Sequence, residues 1–556
     1  MLLGGLAAAD VSPPDSSGDA TALPRELAAS ETRDRGARDL QDALAAMPAL
    51  DRTGDTLWLD GVNLQRWLVR WDGIPLLRAE NAEDNLRSLP VPQCLAPTLH
   101  LARGPQAGAP DALAGIIDLD APETVLPFGG RICSELRGGG VLAGRGSMQL
   151  ATRSRSWHTL VAGFVDGSSA DPSAGGILGR ADISLGQQGS AGLHVLQTSW
   201  QDGHRAISRQ LFSLHSTMQL APQHLLRFRW TRQNLFEQHR GDDDLVLRTG
   251  ETGFDVAYEG ELVEHHALEA HAGGRVADRT QARPSLSTVF VQRAVFGAWV
   301  RDHWTIRANL DVEGVLSVDL DDAVGALPAG HAVLRYSPAQ ALVLRGRIGT
   351  ATRAPGLSER AERPARSFLW PDLAPTALRP EQAQGLDVSL GVEPSWDLAA
   401  HLGLFSLELR DLLVPADDGS GATRNGGLES LQGIYLDAQA LSLPGGLALW
   451  LGYQWMWNAR DEWRERALDE RMTHQFRLAA SWDIRSLGSH LFASSDLGLA
   501  AGAPPGRMPD AGVHVGVRQR LFGRLDVVLA AMQQRSATPD EAPLPRREIR
   551  AGISIE

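Results

Sequence analysis

Alternation of apolar and polar residues is the feature that most constrains what this chain can fold into. The alternation begins near residue 126 and persists to the end of the 556-residue chain. A period of two is typical of β-strands, because successive side chains point to opposite faces of a sheet. Runs of about nine to eleven residues have the length of a tilted strand that crosses a membrane. Clear alternating segments occur at 226–230, 304–312, 447–457, 476–484 and 549–555.

Two details of this pattern favour a membrane barrel. The polar positions hold long charged side chains, as a wet lumen allows; they include Arg227, Arg229, Arg307, Asp311 and Arg477. The apolar positions carry tryptophans towards the strand ends, where aromatic girdles lie; these are Trp230, Trp304, Trp457 and Trp482. A soluble β-protein also alternates, because one face of each strand meets its core, and it remains the alternative.

Charge and cysteine content exclude several classes of protein. The net charge is −14, whereas a nucleic-acid binder normally carries a basic stripe. Cys94 and Cys133 are too few for a disulfide framework or a Cys₄ zinc site, although one bridge is open to them. No stretch approaches the roughly 18 apolar residues of a membrane-spanning helix, so a helical membrane protein is excluded. Because no hydrolase, metalloprotease or P-loop motif occurs, we predict no enzyme and no catalytic residue.

The first 125 residues have a different texture. Residues 1–9 are similar to the end of a secretory signal, and 10–30 read as a flexible arm. Residues 31–125 read as a small α+β unit. In this unit the spacing of Leu40, Ala43, Leu44 and Met47 predicts one face of a short helix that stops at Pro48. Short strands are predicted at 57–59, 67–71, 98–102 and 115–119.

Five segments of this unit, in order, resemble the plug domain of TonB-dependent outer-membrane receptors. They are LQDALAAMPAL at 40–50, LDGVN at 59–63, LVRWDGIP at 68–75, LHLARGP at 99–105 and ALAGIIDL at 112–119. The barrel part adds TRAPGLSE at 352–359, LRPE at 378–381 and GLDV at 385–388. Each segment alone is weak, but their order and spacing together are specific.

The resemblance implies a fold and a function. It implies a mainly β protein in the outer membrane, with an arm at 1–30, a plug at 31–125 and an antiparallel barrel of about 22 strands at 126–556. It further implies energy-coupled uptake of a scarce, bulky nutrient such as an iron–siderophore or cobalamin. The expected partners are a TonB-type energising complex of the inner membrane, a metal chelate or other nutrient, and outer-membrane lipid. No nucleic-acid partner and no cofactor is expected.

A second hypothesis is a diverged barrel with a surface-binding or structural role and no active transport. Departures from the family pattern motivate it. Asp60 stands where the plug usually has an arginine, His100 where it has a glutamate, and Thr352 where the barrel has a phenylalanine. No clear TonB box stands out in 10–30.

The resemblance also marks candidate site residues, which are structural or gating positions. In the plug they are Asp72, Gly73, Arg103, Gly104, Pro105 and Gly115. In the barrel they are Arg353, Ala354, Pro355, Pro380 and Glu381. Asp72-Gly73 reads as a hairpin turn, and Arg103-Gly104-Pro105 either gates the plug or makes a tight turn with Arg103 packed on the wall. We predict no metal site, since adjacent histidines such as His265 and His266 point to opposite faces of a strand. The ligand-binding residues stay unknown.

Overall fold

The structure is a computed structural model. It describes residues 25–27, 40–44, 50–53, 56–59, 62–79, 86, 88–89, 98–109, 111–120, 128–138, 142–154, 156–168, 173–240, 244–283, 286–361, 378–395, 398–415, 423–461, 472–500, 510–535 and 546–555. The predicted signal-like segment 1–9, most of the arm, Met47 and Pro48 lie outside these residues. Among the described residues, no helix is long and apolar enough to cross a membrane.

The described part of the N-terminal unit, called the plug below, includes short strands, an α-helix and a 3₁₀ turn. The helix α1 spans Leu40–Leu44, and the 3₁₀ turn spans Leu64–Arg66. The strands are β1 (Arg25–Leu27), β2 (Leu50–Thr53), β3 (Thr56–Leu59), β4 (Val62–Asn63), β5 (Trp67–Trp71), β6 (Ile74–Pro75), β7 (Thr98–Arg103) and β8 (Gly115–Asp120). One sheet has the order β1-β7-β8-β5-β6, and β2, β3 and β4 form a second.

The plug has its own apolar core. Leu40, Ala43 and Leu44 are buried, which confirms the helical face that their spacing predicts. They pack in one cluster with Leu99 and Ile117 from the central strands. The strand β1 lies within the predicted arm and pairs antiparallel with Leu99–Leu101, so it forms an edge of the larger sheet.

Twenty-two strands of the described chain close into an antiparallel barrel, as the fold prediction requires. They are β9 (Phe128–Gly138), β10 (Ala143–Arg153), β11 (Trp157–Ser168), β12 (Ser173–Ser184), β13 (Gly189–Gln201), β14 (Arg205–Ala221), β15 (His224–His239), β16 (Leu245–Val263), β17 (His266–Arg283), β18 (Leu286–Arg307), β19 (Leu310–Asp321), β20 (Gly325–Ala339), β21 (Leu342–Arg353), β22 (Glu381–Ser395), β23 (Leu398–Arg410), β26 (Leu428–Leu443), β27 (Leu447–Asp461), β28 (Met472–Ile484), β29 (Ser489–Ala500), β30 (Asp510–Leu521), β31 (Leu525–Arg535) and β32 (Arg546–Ile555). Strands β24 (Leu413–Pro415) and β25 (Thr423–Asn425) pair with each other in a separate two-stranded sheet. The connections between barrel strands also contain α2 (Leu357–Ala361) and a 3₁₀ turn (Gly186–Gln188).

The alternation has the predicted meaning. Apolar side chains such as Leu316 and Ile549 point outwards and are more than half exposed, as a lipid-facing surface requires. Polar side chains such as Arg209, Gln233 and Glu237 point inwards and are buried. Burial of this polar face shows that the lumen is filled, since an open channel would leave it in water.

One predicted strand is wrong. The segment 304–312 is not continuous, because a turn at 308–309 separates β18 from β19. Trp304 pairs with Val312 across this hairpin, so both side chains lie on the same face. The alternation of apolar and polar residues therefore continues through the turn, so the sequence pattern does not reveal where the turn lies.

The plug lies inside the barrel. Its backbone and side chains hydrogen-bond to lumen-facing residues from well-separated strands: Gln233 on β15, Arg293 on β18 and Gln454 on β27. Connections at one end of the barrel are short, as at 222–223, 264–265 and 308–309; this is the short-turn end. The opposite, long-connection end carries 354–380 and 411–427. Cys133 on β9 is disulfide-bonded, and Cys94 is the only other cysteine in the sequence.

Candidate functional site at the plug and barrel interface

The predicted plug residues reach the barrel wall at two separate places. Asp72 and Gly73 form the turn between β5 and β6, with φ of 47° and 70°. Two successive positive φ angles are the signature of a tight hairpin turn, in which glycine is the favoured second residue. The carbonyl oxygen of Gly73 accepts a hydrogen bond from Nη1 of Arg229 at 3.2 Å. This turn lies towards the short-turn end of the barrel, beside β13 and β15.

Arg103 lies against the wall at the second place. Its guanidinium carbon is 4.4 Å from the ring centre of Phe405 and 4.9 Å from that of Tyr435. Its Nη2 donates to Oε1 of Gln454 at 3.1 Å. A guanidinium over two aromatic faces gains cation–π attraction in a site shielded from water. The end of β7 is thereby attached to β23, β26 and β27.

The Gly104-Pro105 segment is held by Arg347 on the neighbouring part of the wall, on β21. Nη1 of Arg347 donates to the carbonyl of Arg103 at 2.9 Å, and Nη2 donates to that of Pro105 at 3.0 Å. The plug and the barrel strand β22 approach each other closely here, since a Cβ on Gly385 would lie 2.6 Å from Cδ of Pro105. Glycine in the barrel strand therefore allows the plug backbone to approach closely.

Gly115 is placed at the start of β8, opposite both Trp67 and Arg103. Its φ is 153°, and a Cβ there would lie 2.2 Å from the carbonyl oxygen of Ala102 and 2.5 Å from Cζ3 of Trp67. No other residue type fits this position without movement of the sheet. Packing inside the plug therefore explains why a glycine occupies this position.

The barrel-motif residues lie together at the long-connection end. Arg353 ends β21 and Glu381 begins β22, and the two are direct cross-strand partners. Nε of Arg353 donates to Oε2 of Glu381 at 2.5 Å. Ala354 and Pro355 are buried beside this pair, and Pro380 is half-buried at the entry to β22.

Glu381 joins the barrel to the plug. Its side chain is fully buried, and Oε1 lies 3.2 Å from Nη2 of Arg66 in the plug. The same oxygen accepts the backbone N–H of Leu413 at 2.8 Å. Arg353 also pairs with Glu359 on α2 at 2.6 Å. Each buried charge in this group, the Arg66–Glu381–Arg353 network, has an opposite partner, as burial demands.

A second charged link starts from Asp111 of the plug. Its carboxylate lies 3.4 Å from the guanidinium of Arg293 on β18, which also pairs with Asp321 at 2.8 Å. Burial alone would raise the pKa of Asp111, but Arg293, Arg78 and Arg275 outweigh it, so its pKa lies well below the ordinary value. Asp111 therefore stays charged at neutral pH and keeps this link.

The sequence motifs include Glu381 and Arg353, which lie at this interface, but they do not include Arg66, Asp111, Arg293 or Arg347. The signal for Arg66 was weak, because it lies six positions beyond Asp60, where the family pattern places an arginine. Only the three-dimensional structure brings Arg66 to Glu381, which is 315 residues away. Arg293 and Arg347 stand at inward-facing positions of alternating strands. Many other residues share this property, so the alternation alone does not mark these two.

The combination of a closed 22-stranded barrel and a lumen-filling plug defines a class of plugged outer-membrane barrels. A family model described as TonB dependent receptor-like, beta-barrel matches residues 163–515, more than half of the chain. The chain belongs to the TonB-dependent receptor family. It is therefore an outer-membrane protein and not an enzyme. In such barrels the short turns face the periplasm and the long connections face the exterior.

Solved structures with the same fold include a siderophore receptor, a ferric enterobactin receptor and an iron transporter. The siderophore receptor PirA from Acinetobacter baumannii has a TM-score of 0.81 at 11% identity, covering 96% of this chain and 98% of its own. A ferric enterobactin receptor from Pseudomonas aeruginosa, in complex with enterobactin, has a TM-score of 0.76 at 12% identity; the match covers 95% of this chain and 99% of the receptor. The FrpB iron transporter from Neisseria meningitidis has a TM-score of 0.76 at 12% identity; the match covers 96% of this chain and 99% of the transporter. No curated protein sequence matches the chain significantly.

Proposed function

We propose that this protein carries out energy-coupled uptake of a scarce, bulky nutrient across the outer membrane, of the iron–siderophore or cobalamin type. The observation that carries the proposal is the plug, which is fixed inside the barrel by charged groups on both sides. A lumen blocked in this way passes a large ligand only if work is done on the plug. The outer membrane holds no ATP, so the work comes from a TonB-type complex in the inner membrane. The similar solved receptors bind or transport iron compounds, which supports that ligand class.

The path of the pulling force follows from the order of the sheet. The proposed pulling segment, the arm at 1–30, contains β1, a three-residue strand at the sheet edge. Only β7 pairs with β1 in the described sheet, so a pull on β1 first loads the hydrogen bonds between β1 and β7. Arg103 is the last residue of β7. The proposed gating residues Arg103, Gly104 and Pro105 thus lie directly on the path.

The remaining proposed site residues divide between the two attachments. Asp72 and Gly73 anchor the periplasmic side, and Gly115 keeps β8 tightly packed beside β7. Arg353, Ala354, Pro355, Pro380 and Glu381 form the outer attachment, which receives Arg66. The proposed domain boundary at 125–126 falls between the end of β8 and the start of β9.

Growth under nutrient limitation tests this function. Cells with and without the protein are grown with ferric enterobactin as the sole iron source, and in parallel under cobalamin limitation. Each culture is repeated with the energising complex disabled. We expect the protein to support growth in one medium, and only when the complex is active. Deletion of residues 10–24, which leaves the signal-like start and β1 in place, should remove that growth while leaving folded protein in the membrane.

Two results would contradict the proposal. Growth support that persists without the complex, or after deletion of residues 10–24, would exclude energy coupling through this arm. Absence of any defect in both media would favour a diverged barrel with a surface-binding or structural role. Heat-modifiable migration on gels verifies in every strain that the barrel is folded.

A further inference from the structure

Three lumen-facing side chains converge towards the periplasmic end of the barrel. Asp182 lies on β12, His194 on β13 and His215 on β14, which are neighbouring strands. Oδ1 of Asp182 is 3.1 Å from Nε2 of His215 and 3.8 Å from Nε2 of His194. The three atoms lie within 4.8 Å of one another. One carboxylate oxygen and two imidazole nitrogens form a donor set that suits zinc and related transition-metal ions.

Two of the three converging atoms lack a hydrogen-bond partner among the described residues. Oδ1 of Asp182 and Nε2 of His194 are buried and make no hydrogen bond there. The other carboxylate oxygen, Oδ2, accepts a hydrogen bond from Nε of Arg180 at 2.6 Å. Oδ2 of Asp182 is therefore paired with Arg180, while Oδ1 faces the two histidines. Buried polar atoms are nearly always satisfied, so an ion between these three atoms would complete the site.

Gly192 keeps the centre of the cluster open. It lies on β13 directly between its cross-strand partners Asp182 and His215. A Cβ at this position would lie 2.2 Å from Oδ1 of Asp182 and 2.5 Å from Nε2 of His215. Any larger residue would occupy the space between the two ligand atoms. The φ of Gly192 is not positive, so the backbone conformation does not require a glycine here. The missing side chain instead leaves space between the two ligand atoms.

The plug supplies the group that orients one of the histidines. Oδ2 of Asp72, in the β5–β6 turn, is 3.6 Å from Nδ1 of His194. A histidine that binds a metal through Nε2 keeps its proton on Nδ1, and a carboxylate usually faces that proton. Asp72 stands in this relation to His194. The ring of His194 also meets that of His215 edge-on, with centres 4.8 Å apart, which limits its rotation.

We propose that Asp182, His194 and His215 bind one divalent transition-metal ion of the zinc class, and that Asp72 of the plug positions His194 for it. A tetrahedral zinc needs ligand atoms roughly 3.3 Å apart, so small side-chain rotations bring the set to bonding distance. The ion would connect the plug hairpin to three barrel strands through His194. This inference is independent of which nutrient the receptor transports.

Zinc titration of the purified, full-length protein in detergent tests the site. Isothermal calorimetry and metal analysis after dialysis are expected to show one Zn²⁺ per chain, which excess Ca²⁺ does not displace, because imidazole favours the transition metal. H194A, H215A and D182N should each weaken binding at least tenfold. D72N, which removes only an outer contact, should weaken it about 10–100-fold. G192A should abolish binding while every ligand remains in place.

Matched controls separate a metal site from general effects. H271A removes a histidine that has one aspartate neighbour, Asp255 at 3.2 Å, but no second histidine in its cluster among the described residues. G146A adds a methyl group where no atom lies within 4 Å. Both should bind Zn²⁺ as the wild type does, and heat-modifiable migration verifies that each variant is folded. A folded wild type that binds no stoichiometric Zn²⁺, or binding that survives in H194A, H215A and G192A, would overturn the proposal.

Discussion

Replacing Glu381 with alanine is expected to weaken the attachment of the plug by about 3–5 kcal/mol, because it leaves the Arg66 guanidinium buried without its carboxylate. The backbone N–H of Leu413 loses its acceptor in the same variant. Amide hydrogen exchange along β5 and β8 measures the effect. Exchange there should accelerate by a factor of roughly 10²–10⁴, since each 1.4 kcal/mol is a factor of ten. Barrel strands remote from β21 and β22 should keep their wild-type rates.

The control for this variant is Glu408→Ala on β23. Glu408 pairs with Arg410 at an exposed position, where an ion pair contributes about 0–1 kcal/mol. Plug exchange should therefore stay near the wild-type rate. Heat-modifiable migration shows whether the barrel of each variant has assembled. Equal plug exchange in E381A and E408A would show that the Arg66–Glu381–Arg353 network does not hold the plug.

Gly115→Ala is expected to have an effect of similar size, a loss of about 2–6 kcal/mol of plug stability. The added methyl group would meet the Ala102 carbonyl and the buried ring of Trp67, and overpacking of this kind costs about 1–3 kcal/mol. The unusual φ of 153° adds about 1–3 kcal/mol for a residue with a Cβ. Faster amide exchange in β7 and β8, measured on the folded protein, reports the loss.

Gly104→Ala separates the two contributions. Gly104 also has a positive φ, 86°, but a Cβ there meets no atom within 4 Å. It should lose only about 1–2 kcal/mol, from the backbone conformation. If G115A and G104A accelerated exchange equally, the packing explanation for Gly115 would be wrong.

Much of the fold was predictable because lipid and lumen impose opposite chemistry on the two faces of every strand. That requirement repeats along the chain and produces the visible alternation, for example at 476–484. Turn positions were less visible. The hairpin at 308–309 joins strands in a register that keeps Trp304 and Val312 on one face, so the pattern does not change at the turn.

The site was predictable only where short motifs mark it. Arg353 and Glu381 stand in such motifs, whereas Arg66 reaches Glu381 through the packing of the plug in the barrel. The cluster of Asp182, His194 and His215 has no motif spacing, since its geometry depends on the register of three strands around Gly192. Long-range register of this kind is not encoded in any local window of the sequence.

The most direct test of energy coupling is the binding of the energising protein. The periplasmic domain of the source organism's TonB-type protein is titrated against the purified full-length receptor and against the receptor lacking residues 1–30. Coupling through the N-terminal arm predicts saturable binding to the full-length protein and its loss in the shortened one. Absence of binding to the full-length protein, or equal binding to both, would contradict the account of an energy-coupled transporter.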